Sequence, residues 1–163
     1  MIASVAICLM AATGCGSVSV AMVPVSTPTA TPAVTLPQLA AAYPTLAKRL
    51  DMVLCALATI AASGNSSTAS LKSAARYAAD TSNWVTNRLA QLPWPGRLQA
   101  DSQVLIMAIA RVEAELRLAS NAKSRPAVMK HIHKAQQLIA RIPLAATQLR
   151  RDLHVVSGGG CSE

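Results

Sequence analysis

Across residues 39–153 the apolar side chains of this chain return every three or four positions, a spacing that lines one face of a helix rather than of a strand. Leu39, Tyr43, Leu46, Leu50, Val53, Leu54, Leu57 and Ile60 trace a first stripe ending near Ser63-Gly64-Asn65, with Pro44 marking either the true start of that helix or a kink. Leu71, Ala75, Ala78, Val85 and Leu89 predict a second helix over 68–92, which Pro93-Trp94-Pro95-Gly96 stops. Leu105, Ala108, Ile109, Val112 and Leu116 predict a third over 97–121. Val128, Ile132, Ala135, Ile139, Ile142, Leu149 and Leu153 predict a fourth over 126–154, kinked at Pro143. Composition points the same way: 52% of the residues are hydrophobic but 2% aromatic, and Phe is absent, so the interior must be built from Leu, Val, Ile, Met and Ala. Such side chains suit closely packed helices better than sheets. The expectation is an all-α domain over 37–155, an up-down four-helix bundle with short connections. Residues 156–163, with Gly158-Gly159-Gly160, read as a flexible tail.

The N-terminus has a different character. No charged side chain precedes Lys48, and residues 1–14 (MIASVAICLMAATG) are almost wholly apolar, as the central part of a secretion signal is, although no basic segment comes first. The uncharged run continues through 16–24, so an uncleaved membrane anchor is the alternative. Residues 15–36 are rich in Ser, Thr and Pro, as in Ser26-Thr27-Pro28-Thr29-Ala30-Thr31-Pro32, and lack a helical period. They read as a disordered tether, since about 20 such residues at about 3.1 Å each reach some 60 Å.

Within the apolar run, Ala12-Thr13-Gly14-Cys15 resembles a lipobox, in which small residues precede a cysteine whose thiol becomes the thioether to a diacylglyceryl group. The pattern prefers Leu where this chain has Ala12. Cys8 is the poorer candidate, because bulky Ile7 precedes it. A lipobox, a Thr/Pro tether and an Ala-rich helical domain, with a Leu92-Pro93-Trp94-Pro95 corner, together resemble the small cell-envelope lipoproteins of actinobacteria, including mycobacteria. The resemblance implies a signal peptide over 1–14, lipidation of Cys15, and a protein held at the cell membrane and facing outside the cytoplasm. It also implies a tether open to O-mannosylation.

Chemistry-bearing constellations are not found. His131 and His133 stand two apart and diverge by about 200° on a helix, so they do not share a metal, and Glu113 and Glu115 have the same spacing. There is no Cys-x-x-Cys-His, no Gly-rich phosphate loop and no nucleophile with a paired base. Neither a cofactor, a metal nor enzymatic activity is therefore expected. The 15 Lys and Arg exceed the 7 Asp and Glu, giving a formal charge of +8. Lys130, Lys134, Gln137 and Arg141 fall on one helical stripe, and its three cations are candidate contacts for anionic lipid or a wall polymer. Nucleic acid is not the expected partner, because few aromatics are present to stack on bases. The functional expectation is a non-catalytic, lipid-anchored envelope protein that binds a partner, a lipid or the wall. The alternative is a carrier of an apolar ligand in a cavity between the helices.

Two thiols remain once Cys15 is acylated and Cys8 leaves with the signal, Cys55 and Cys161. Cys55 falls on the outer face of the first helix with Lys48, Met52 and Thr59. If the fourth helix runs unbroken to His154, the level of Cys55 lies about 31 Å from its end, and the seven residues to Cys161 span at most about 25 Å. Free thiols are therefore preferred to a Cys55–Cys161 disulfide, which would need the last helix to end early.

Overall fold

The computed structural model describes residues 35–155, and these are all-helical and without strands. The expected signal peptide, the lipidated Cys15, nearly all of the tether, the tail and Cys161 lie outside the described residues. The helices are α1 (Leu36–Ala62), α2 (Thr68–Gln91), α3 (Gly96–Asn121), α4 (Arg125–Ile139) and α5 (Ile142–Asp152).

The start of α1 is written in Thr35-Leu36-Pro37-Gln38. The Thr35 backbone N–H donates to Gln38 Oε1 at 2.9 Å, so a side chain three residues on satisfies a donor that the helix leaves unpaired. Pro37 sits in the first turn, where a missing N–H does no harm. The helix thus begins inside the last residues assigned to the tether, and it runs on through Pro44, which marks no start. Ser67 opens α2, its hydroxyl accepting from the Ser70 N–H at 3.0 Å. At the other end of α2 the Leu-Pro-Trp-Pro corner works as a cap. Pro93 holds Leu92 extended, and the Trp94 indole N–H donates to the Leu89 carbonyl at 2.8 Å, pairing a carbonyl of the last turn.

The fourth expected helix is two. Pro143 has no N–H to give the Ile139 carbonyl, and its ring crowds that same carbonyl, so α4 ends at Ile139. The Arg141 N–H reaches back three residues to Leu138, tightening the chain before α5 begins. α5 in turn stops at Asp152 rather than running through His154. His154 adopts φ 53° and donates to the Arg151 carbonyl, while the Val155 N–H reaches the Arg150 carbonyl at 2.9 Å. This is a left-handed helix ending of the kind usually made by glycine, here made by histidine.

α3 is the central element, packing along α2, α4 and α5, while α1 packs chiefly on α2 and touches α4 lightly. The inward stripes read from the sequence are buried with few exceptions. Leu71, Leu89, Leu116, Val128, Ile132 and Leu149 lose essentially all exposure, whereas Ile60, Ala108, Ile139 and Ile142 are half-buried. Ile139 belongs with the last group because it sits at the break between α4 and α5. Ala75, Ala78, Ala79, Ala119, Ala135 and Ala146 are fully buried, so the alanine content serves close approach of helix backbones. The Arg125 guanidinium donates to the Gly64 carbonyl at 2.8 Å, joining the start of α4 to the α1–α2 turn.

Candidate functional site

Of the three cations proposed for anionic contact, all are exposed, but they are not equivalent. Lys134 is ion-paired with Glu115 of α3, so part of its charge is already matched, although its side chain stays exposed. Arg141 precedes Pro143 at the α4–α5 break, past the end of the stripe that carries Lys130 and Lys134. The stripe therefore offers Lys130 on α4 and, separately, Arg141.

The spacing of Glu113 and Glu115 within α3 does not reveal the partners of Glu115, which come from α4. Glu115 projects from α3 beside Val112, Leu116 and Ala119, and it is 8% exposed. A carboxylate taken so far from water needs donors. His131 Nδ1 supplies one at 2.9 Å and the Lys134 ammonium another, both from α4. The His131 hydrogen bond first, and that of Lys134 second, hold the carboxyl below the ordinary glutamate range. His131 and Lys134 are three apart, so one helical face presents both to the same acid. The cluster clamps α3 to α4. Among the described residues no group of three or more His, Cys, Asp or Glu is arranged to hold a metal ion.

A second polar group lies where α1, α2, α3 and α5 meet. Tyr43, Asp51 and Arg150 border a cavity of about 20 Å³ with Leu50, Leu105 and Ile109 behind them. Burial pushes the Tyr43 hydroxyl and the Asp51 carboxyl above their ordinary values, against the opposing pull of Arg150. This space suits about one water molecule. A drug-sized apolar ligand needs roughly 300 Å³ or more, so this cavity is not a carrier's pocket.

On the outside of α1 and α2, the Arg49 guanidinium lies 4.2 Å from the centroid of the Trp84 ring, and that of Arg88 lies 5.6 Å from it. The basic stripe of the last helix, taken alone, does not lead to these three residues. The missed signal was Trp84 and Arg88 four apart on α2, a spacing that brings a cation back over an aromatic ring.

Cys55 is half-buried and disulfide-bonded, with its partner outside the described residues. The preference for a free Cys55 is corrected. The distance argument behind that preference assumed one unbroken last helix, and the chain instead breaks at Ala140 and Arg141 and ends its helix at Asp152. Among the described residues no helix is long and apolar enough to cross a membrane.

Comparison of the chain with family models, with curated proteins and with solved structures finds no match.

Proposed function

We propose that this chain is a non-catalytic lipoprotein of the cell envelope, anchored through Cys15 and presenting its helical domain outside the cytoplasm. In that reading the domain is an up-down four-helix bundle whose last helix is bent, held on the Ser/Thr/Pro tether. Its basic surface binds an anionic component of the membrane or wall. The observation that carries the binding reading is the unspent positive charge. Of the 15 Lys and Arg, all of which lie within the described residues, only Arg117 and Lys134 form ion pairs there. Cations left unpaired on a folded surface remain available to an external anion.

The anchor is tested by expressing the full chain in a host that processes lipoproteins and taking the mass of the N-terminal peptide. A thioether-linked diglyceride on Cys15, with residues 1–14 removed, is the expected result. An intact Met1-containing chain with unmodified Cys15 would overturn it in favour of the membrane-anchor alternative.

A further inference from the structure

The α1–α2 face collects side chains that the interior had every use for. The chain has 2 Trp, 2 Tyr and no Phe, yet Tyr77 is 63% exposed and Trp84 36% exposed on the outer side of α2. They stand seven residues apart, two helical turns along one edge. Met52 of α1, three residues from Arg49, is exposed to 63% as well. Across the seam between the helices, Arg49 and Arg88 both approach the Trp84 ring. Each such contact is favourable, because the ring face carries partial negative charge. It brings two like charges to one ring, however, and neither Arg49 nor Arg88 is ion-paired among the described residues.

We propose that this face docks on an anionic phospholipid surface, with Arg49 and Arg88 meeting headgroup phosphates while Trp84, Tyr77 and Met52 enter the interfacial layer. The inference deepens the envelope reading given above by naming lipid rather than wall polymer as the partner. A headgroup phosphate would give Arg49 and Arg88 the anionic partner that no ion pair among the described residues supplies. Trp and Tyr favour the headgroup level of a bilayer, where one side of the ring is wet and the other is not. A soluble polyanion would satisfy Arg49 and Arg88 but leave Met52 and Tyr77 in water. A second copy of the chain, packed through a two-fold axis, would bring two more guanidiniums to the same place. A domain tethered to the membrane at Cys15 meets that surface at high effective concentration, so a modest face suffices.

The test uses the full lipidated chain on vesicles of phosphatidylcholine alone or with about one-third phosphatidylglycerol, both carrying brominated acyl chains that quench nearby indoles. Flotation on the neutral vesicles reads the Cys15 anchor by itself. Quenching of Trp84, taken as the difference between the native chain and Trp84→Phe, reads the face. Expected is quenching roughly twofold greater on the anionic vesicles, lost at high salt and lost in Arg49→Gln/Arg88→Gln. Failure to float on neutral vesicles would sink the anchor, and the anionic vesicles would still decide the face. Equal Trp84 quenching on both vesicle types overturns the docking proposal. So does a Trp84 response to soluble polyphosphate without one to anionic vesicles, or a dimer in solution that shields Trp84.

Discussion

Glu115 carries its charge into the seam between α3 and α4, and two donors from α4 keep it ionised there. Because its folded carboxyl binds a proton more weakly than an unfolded glutamate, the unfolded chain gains from protonation first as the pH falls. The stabilisation is complete above the ordinary glutamate value of about 4.3 and drains away as the pH drops below that, through the lowered folded value. Glu115→Gln should therefore flatten the acid limb of stability measured as urea midpoints from about pH 5 to pH 3. At neutral pH it should lower stability by about 1 kcal/mol, a modest figure because Lys134 remains largely solvated. An unchanged acid limb would mean that the clamp contributes nothing. His154 gives the opposite test. It holds φ 53°, a conformation that disfavours any side chain, so His154→Gly should raise the unfolding free energy by up to about 1 kcal/mol. Glu115 was legible only in part: its place three residues after Val112 puts an acid on a buried face, which demands a partner, but a donor sixteen residues away on another helix is not a spacing that one helix reveals.

At the scale of elements, the stripes were readable because burial follows a fixed helical period, and α2 and α3 came within a residue or so of their observed ends. Helix ends were harder. Pro143 acts on the carbonyl four residues upstream, so the break falls at Ala140 and Arg141 and not at the proline itself. The close of α5 uses His154 in a glycine's conformation, while the glycines that caught the eye follow later, at 158–160. Thr35 and Gln38 were the overlooked start signal. α5 supplies a sharp check on the assigned faces. Leu149 is fully buried and Leu144 is 78% exposed, so Leu149→Ala should cost about 2–5 kcal/mol in chemical denaturation and Leu144→Ala within about 0.5 kcal/mol. Similar losses at the two positions would contradict the packing of α5.

For the whole molecule, the cysteines link anchoring to folding. A thiol that has become a thioether does not form a disulfide. If Cys15 is acylated and Cys8 leaves with the signal, Cys161 is the one cysteine left in the mature chain to pair with Cys55. Non-reducing peptide mapping of the exported protein should yield a Cys55–Cys161 linked peptide, whereas a Cys55–Cys15 peptide would exclude lipidation in that population. A closed loop of about 100 residues contributes up to about 4.7 kcal/mol in the chain-entropy account, so reduction should lower the thermal midpoint.

The broken last helix also gives the molecule unequal parts. α5 rests on α3 and meets α4 only lightly, and the break at Ala140 and Arg141 is a ready pivot. The segment can lift away and take Arg150 from the cavity wall while α2, α3 and α4 stay paired, an opening smaller than global unfolding. In native-state hydrogen exchange, amides of α5 should exchange with a lower opening free energy than those in the middle of α2 and α3. If exchange there is faster, Tyr43, Leu105 and Ile109, which line the cavity with Arg150, are the side chains that such openings would expose to water.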